Sequence, residues 1–531
     1  MSNTTSQELA NVLWSIADEL RGTMDASKFK DYILGVIFYR YLSEKTVKYM
    51  DNILKNDHVT YEKALENPQL AEAVKKMAMD RLGYIIEPKY LFDNLVEQIK
   101  ENKFSVETFE NAISSLIGST VGQESEQAFD KLFDDMNLQD KDLGKEVSDR
   151  TELISKVITK ISDISFEFDE TEEDILGTAY MILIGLFQSN AGKKGGEFFT
   201  PAGPSELCVR LATLGLDEVR NACDPCAGSG SMLLRVGKAV KNSQSIHYYG
   251  QEFNGTTYNL LRMNMLMHGV PYKQFTMFND DTIKKDNFYE DGKEIPLQVQ
   301  VSNPPYSLKY SADSKLLDDP RYSSSGALAP KSYADLMFLE HMIYHMANDG
   351  RIAVLLPHGV LFRSGGEETI RKYLINTLNC IDAIIGLPGN LFHGTSIPVV
   401  LIVCKKNRNE NSDNIFICDA SNEYKTGKSQ NELEEKHIQK IVNAYKERKE
   451  IKKYCRAVPL TEIKNEDNDC NLNIPRYIDI FEEEEEINLK EEFKNLRQIE
   501  ENYNKQKNSL NTLLNELGID FKTYGKEVEN E

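Results

Sequence analysis

Asp224-Pro-Cys-Ala-Gly-Ser-Gly230 follows a candidate strand, Val219–Asp224, and opens a helical pattern near Gly230. Gly228 and Gly230 let backbone come close to a ligand, and the free N–H groups of a helix start can face it. Turns of this kind serve many nucleotide-binding folds, and some only make tight corners. The spacing departs from the GxGxxG of dinucleotide binders. Downstream the same strand-then-helix pattern repeats. Candidate strands are Ile246–Glu252, Leu297–Ser302, Arg351–Pro357, Ile381–Leu387 and Pro398–Lys405, and candidate helices begin near Gly255, Ser332 and Gly366. Strand–helix alternation predicts a doubly wound α/β sheet.

Three further points give this sheet its chemistry. Glu252 ends the strand after the glycine turn, where an acidic side chain can accept both ribose hydroxyls of an adenosine group. Asn279-Asp280-Asp281 ends the next segment, and Asp281 is the expected acceptor for an adenine amine. Asn303-Pro-Pro-Tyr306 follows the stretch LQVQVS, about two β–α units beyond Asp224. Two prolines after a strand stiffen the chain and place Asn303 at the carboxyl edge of the sheet. The Asn303 side-chain oxygen and the Pro304 carbonyl can each accept one N–H of an aryl amine. That favours a tetrahedral nitrogen whose lone pair is free to attack. Tyr306 offers a stacking face for a base taken out of a double helix.

Together these residues resemble the amino-methyltransferases, in which NPPY marks transfer to an exocyclic or amide nitrogen. Glu197-Phe-Phe-Thr-Pro201 resembles the cofactor-binding segment of the modification (M) subunit of type I restriction–modification systems. Leu391-Phe-His-Gly-Thr-Ser-Ile-Pro398 matches a late segment of that family. The resemblance spans most of the chain. It implies a Rossmann-like, S-adenosylmethionine-dependent methyltransferase domain that modifies adenine N6 in double-stranded DNA, by in-line transfer without a covalent enzyme intermediate or a metal. It implies that Glu197, Phe198, Phe199, Thr200 and Pro201 line the cofactor beside Asp224 and Gly228. Ser229, Gly230 and Ser231 would lie near its amino-acid end and Glu252 on its ribose. Asn303, Pro304 and Tyr306 would be catalytic, and Tyr306 and Phe392 would wall the target-base pocket. The implied partners are a specificity (S) subunit, a restriction (R) subunit and a second copy of this chain. Ala202 stands where many members carry a basic residue, so a phosphate contact is not expected there.

Around the sheet, the chain is expected to be helical: an N-terminal domain (1–165), the methyltransferase domain (166–420) and a C-terminal region for subunit association (421–531). Thr5-x-x-Glu8 is a capping-box pattern ahead of Leu9, Val12, Leu13, Ile16 and Leu20 at helical spacing. Phe29, Ile33, Val36 and Ile37 predict a second amphipathic helix, and Asp174–Gln188 a third helix before the Gly192–Gly196 boundary. Past Asn407 the chain reads as polar and largely helical. Phe493, Leu496, Tyr503, Leu510, Leu514 and Leu517 mark a narrow apolar seam of the kind that packs on another helix.

Composition bounds these readings. A length of 531 residues, 40% of them hydrophobic and 27% charged, fits a soluble protein of several domains. The N-terminus lacks a signal-peptide pattern and no run is long enough for a membrane span, which suits a cytoplasmic protein, and the family resemblance implies a bacterial or archaeal one. A net charge of −22 argues against gripping DNA over the whole surface. Residues 481–531 hold 14 acidic against 7 basic side chains, a net of −7. The eight cysteines read as reduced thiols. Cys223-x-x-Cys226 has no second pair to complete a zinc site. Pro225-Cys226 resembles the nucleophile of cytosine-C5 enzymes, but it lies inside the glycine turn. A protein glutamine methyltransferase, an inactive scaffold and a dehydrogenase are the remaining alternatives.

Overall fold

The alternating strands close into one nine-stranded mixed sheet. They are β1 (Asn221–Asp224), β2 (His247–Gln251), β3 (Phe275–Phe278), β4 (Leu297–Ser302), β5 (Met346–Pro357), β6 (Ile381–Gly386), β7 (Val399–Lys405), β8 (Asn414–Asp419) and β9 (Cys455–Pro459). Across the sheet the order is β9-β8-β6-β7-β5-β4-β1-β2-β3. β1, β2, β3, β4 and β5 pair in parallel, whereas β7 runs antiparallel to both β5 and β6. The structure, a computed structural model, describes residues 11–12, 14–15, 26–164, 180, 182–183, 200–392, 396–427, 430–479 and 489–519. The Thr5–Glu8 cap, nearly all of the first helical pattern, most of Asp174–Gln188 and the Gly192–Gly196 segment lie outside them.

This order sets where a ligand can sit. From β1 the chain winds outward through β2 and β3, then returns to place β4 on the other side of β1. The crossovers diverge at that point and leave a crevice at the carboxyl ends of β1 and β4. Asp224 ends β1, and Asn303 follows β4 directly. Two segments far apart in sequence therefore become neighbours, tied by Ser302 Oγ donating to Asp224 Oδ1 at 2.7 Å.

Past Asn407 the expected helical character gives way to two more strands. β8 pairs in parallel with β6, and β9 pairs antiparallel to β8. Ile415–Cys418 supplies four consecutive buried residues that fill the sheet core, which the surrounding polar composition conceals. The chain as far as Asp479 belongs to one compact unit, and Ile480–Glu531 forms a second.

The N-terminal region is helical as expected, with one difference in kind. The long helix α1 (Ala26–Leu54) is not amphipathic through its centre: Tyr32, Leu34, Phe38 and Tyr39 are as buried as Ile33, Val36 and Ile37. Apolar residues on every face mark a helix enclosed by others. It also reaches the α/β part. Tyr41 donates to the Leu266 carbonyl at 2.7 Å, on the helix α4 (Gly255–Met267) described below. Arg262 of α4 is 2% exposed and reaches back to the carbonyls of Gln127 and Asp130 at 2.9 and 2.8 Å, with its guanidinium 4.2 Å from the Tyr258 ring centroid. Among the described residues, no helix is long and apolar enough to cross a membrane.

Candidate active site

A cavity of about 750 Å³ opens at the crevice, and its lining comes from the ends of β1, β2 and β4. The turn after β1 is held in shape by its glycines. Gly228 has φ +53° and Gly230 has φ +79°, a region that strains any residue with a Cβ. Gly230 caps helix α3 (Ser231–Ala239), and a Cβ there would sit 2.5 Å from Leu261 Cδ1 of α4. Gly228, Ser229 and Ser231 line the cavity. Gly230 does not; it serves the packing of the turn on α4.

Two buried carboxyl groups face this space. Asp224 Oδ1 accepts from Ser302 Oγ and, at 2.9 Å, from the Cys226 backbone N–H. Burial dominates all the same, and with neighbouring Glu252 it lifts the Asp224 carboxyl to about 7. Glu252 accepts the N–H of Gly228 at 3.0 Å on Oε2 and that of Asn254 at 2.8 Å on Oε1. Burial also raises its pKa above the usual carboxylate range. Each oxygen has a lone pair left, so Glu252 can take a bidentate pair of hydroxyls. Asn279 steadies the same corner by donating to the carbonyls of Glu252 and Phe253 at 2.8 and 3.0 Å.

Of the acidic pair at residues 280 and 281, only Asp281 lines the cavity. Asp280 turns away to Lys285 and Asn287, each at 2.8 Å. Asp281 Oδ1 accepts the Ile283 N–H at 3.0 Å, and its other oxygen lies 3.1 Å from Lys284 Nζ.

Asn303 lines the same cavity. Its Nδ2 donates to Thr200 Oγ1 at 3.0 Å, and its Oδ1 accepts from the Tyr306 hydroxyl at 2.5 Å. The Tyr306 ring meets Phe392 edge-on, with centroids 5.8 Å apart and planes at 81°. Burial pushes the Tyr306 phenol well above its ordinary pKa, so it stays a donor. The chain after it turns at Ser307 (φ +51°), whose N–H is held by buried Asp335 at 2.9 Å. Asp335 opens helix α5 (Asp335–Tyr344), so the loop after β4 is pinned to a helix start. Among the described residues, no hydrogen bond ends on the Pro304 carbonyl.

Most of the residues singled out in the sequence therefore converge. Thr200, Asp224, Gly228, Ser229, Ser231, Glu252, Asp281 and Asn303 share one cavity, with Tyr306 and Phe392 paired beside it. Pro201 and Pro304 lie next to cavity residues without lining it. Glu197, Phe198 and Phe199 lie outside the described residues. Several lining residues escaped the sequence reading. Phe253, 73% exposed, offers an apolar face at the mouth beside Glu252, and Ile283, Leu308, Lys309 and Phe338 add to the wall. Phe253 directly follows the acidic strand end, and that adjacency was the available signal.

One cluster elsewhere has the residue types of a metal site. Asp286, His341 and His345 bring their ligand atoms within 4.8 Å of one another. Arg321, however, donates to His341 Nδ1 at 3.0 Å, and His345 Nε2 already sits 2.9 Å from Asp286. An imidazole that accepts on Nδ1 keeps its proton on Nε2, so neither nitrogen of His341 has a lone pair free for a metal. The group reads as a buried polar network. Cys223 and Cys226 are free thiols.

The contents of the cavity fit one class of ligand. Two desolvated carboxyl groups favour a cation, a bidentate carboxylate at a strand end favours a diol, and apolar walls at Phe253 and Ile283 favour an aromatic ring. A sulfonium nucleoside has all three.

Known proteins resemble this chain in sequence and fold. Residues 171–486 match the family model described as N-6 DNA Methylase, and residues 9–161 match the HsdM N-terminal domain. The chain is 37% identical to the type I restriction enzyme MpnII methylase subunit of Mycoplasma pneumoniae, over 96% of each chain. The methyltransferase subunit of a type I restriction–modification system from Streptococcus thermophilus superposes with a TM-score of 0.82 at 39% identity, covering 90% of this chain and 100% of that one. A chain from a structure on complex assembly and conformational transition of the type I R-M system shares the fold (TM-score 0.62, 17% identity, 97% and 99% coverage).

Proposed function

From the premise that this chain belongs to the N-6 DNA methylase family, as a type I restriction enzyme methylase subunit, we propose how its residues divide the work of methylating adenine N6. The observation that carries the proposal is the single cavity that Asp224, Glu252, Asp281 and Asn303 line together. S-adenosylmethionine supplies an activated methyl group on a sulfonium. Glu252 holds the ribose hydroxyls, Asp281 the adenine amine, and Asp224 offsets the positive charge. Gly228, Ser229 and Ser231 receive the amino-acid end, with Thr200 and the segment before it. Asn303 Oδ1 and the Pro304 carbonyl accept the two N–H hydrogens of the target adenine. This draws the nitrogen out of conjugation with the ring and aims its lone pair at the methyl group. Tyr306 stacks on the extruded base, and Phe392 backs it.

Double-stranded DNA is the substrate in this reading. The partners are a specificity subunit that reads the sequence, a restriction subunit and a second copy of this chain, working in the cytoplasm. The acidic net charge supports dependence on a partner for DNA affinity.

Two measurements test the cofactor end. Glu252→Ala should weaken S-adenosylmethionine binding by about 1.5–3 kcal/mol through lost charge-assisted hydrogen bonds. A calorimetric dissociation constant equal to wild type would remove Glu252 from the site.

The second is a pH profile. With Asp224 near 7 in the free protein, half of it is protonated at neutral pH. A cationic ligand prefers the ionised form, so affinity is full above pH 7 and falls as pH drops through it. Between pH 8 and pH 6 the loss should approach about tenfold. S-adenosylhomocysteine has the same amino-acid end but a neutral sulfur, and should show a shallower profile. Asp224→Asn should flatten the difference between the two ligands. Parallel profiles for both ligands in the wild type would rule out this role for Asp224.

A further inference from the structure

The two hydrogen bonds on Asn303 do more than hold it still. A carbamoyl group can sit either way round, and only one way serves the reaction. With the oxygen toward the target amine it accepts an N–H; turned over, it presents a second NH2 group and repels the amine. Nothing in the shape of the Asn303 side chain chooses between these, because its two ends are nearly the same size. The choice rests on its partners, Thr200 Oγ1 at 3.0 Å from Nδ2 and the Tyr306 hydroxyl at 2.5 Å from Oδ1.

Both partners are hydroxyls, but they are not equivalent. A phenol shares its lone pair with the ring, so it is a good donor and a poor acceptor. An aliphatic hydroxyl keeps its lone pairs and accepts well. Tyr306 therefore takes the oxygen end of the amide and Thr200 the nitrogen end. One lone pair of Oδ1 remains for the substrate. Thr200 is also well placed to hold its ground. It precedes Pro201, which opens the buried helix α2 (Ala202–Thr213), and α2 is fastened beneath β5 by Cys208 Sγ donating to the Ala353 carbonyl at 3.0 Å.

We propose that Thr200 is a positioning residue for methyl transfer: its hydroxyl oxygen holds the Asn303 amide nitrogen and so turns the Asn303 oxygen toward the target amine. The proposal rests on the assignment of Asn303 to the adenine amine given above. It gives Thr200 a duty to the base as well as to the cofactor, through a contact 103 residues long in sequence.

Thr200→Val keeps the shape and removes the acceptor, leaving Asn303 free to turn its NH2 toward Tyr306. Thr200→Ser keeps the acceptor. Both variants are assembled into the complete methylating complex and compared with wild type by single-turnover methyl transfer and by calorimetric S-adenosylmethionine binding. Thr200→Val should lower the transfer rate about 100-fold at saturating cofactor, the cost of a misplaced reacting group. Its cofactor affinity should fall by no more than about tenfold, the loss of one hydroxyl hydrogen bond. Thr200→Ser should restore the rate. A Thr200→Val rate rescued by saturating cofactor would make Thr200 a cofactor contact only, and a slow Thr200→Ser would show that the hydroxyl is not what matters; either overturns the proposal. A wild-type complex that methylates no adenine would instead bring down the functional reading, and this role with it.

Discussion

Asn303→Ala removes methyl transfer and leaves cofactor binding in place. The side chain is held by Thr200 and Tyr306 and is not hydrogen-bonded to Glu252 or Asp281, so its loss should not disturb the ribose or adenine contacts assigned to those two. What disappears is the acceptor that draws the target amine out of conjugation. Removing one preorganised group aimed at a transition state costs about 100- to 1,000-fold in rate. Here the same side chain also fixes the position of the amine, and the loss should reach the upper end of that range. Tritiated methyl incorporation measures the first quantity and calorimetric S-adenosylmethionine binding the second. Wild-type turnover in the variant would sink the mechanism. A large loss of cofactor affinity would make Asn303 a cofactor contact instead.

The second large effect concerns assembly. Helix α6 (Leu489–Glu516) has no buried residue, and Phe493, Leu496, Ile499 and Tyr503 are each at least 50% exposed. A helix of 28 residues that leaves such side chains in water is built to be covered by something else. The residues around it carry a net charge of −7, which makes DNA a poor candidate. The specificity subunit is the expected partner. The chain alone should bind S-adenosylmethionine without methylating any particular sequence, and adding that subunit should supply the specificity. Ending the chain after Ile480 should abolish assembly while cofactor binding persists. Methylation of a DNA library by the isolated chain, the complex and the shortened form tests both statements. Site-specific methylation by the isolated chain would contradict the first, and an unimpaired complex from the shortened form the second.

The residues that could be read in advance are those whose chemistry and backbone role coincide. Asp224–Gly230 announces a turn through its glycines, and Asn303–Tyr306 announces a rigid strand end through its prolines. Both could therefore be placed at the sheet edge without a structure. β4 is the clearest case among the strands: Leu297, Val299 and Val301 recur at a strand's period of two directly before Asn303-Pro-Pro, and all six of its residues are buried. β3, β8 and β9 escaped notice because they are four to six residues long and set among polar neighbours. Their strand character comes from pairing with the sheet more than from local pattern. Gly230 shows a subtler limit: its place in a glycine turn was legible and was read as an approach to the ligand, but the position of Leu261 shows that it packs against a helix. The contacts that complete the site, Thr200 with Asn303 and Asp224 with Ser302, join residues 103 and 78 positions apart. No local pattern encodes them.

The central claim is that this chain puts a methyl group on adenine N6 in DNA, with Asn303 presenting the amine. The most direct test is to digest DNA methylated by the assembled complex, once with the wild-type chain and once with Asn303→Ala, and to identify the labelled nucleoside by mass spectrometry. The account predicts N6-methyladenine as the labelled product from wild type and none from Asn303→Ala. Label in cytosine or on a protein glutamine, or equal N6-methyladenine from both chains, would contradict it.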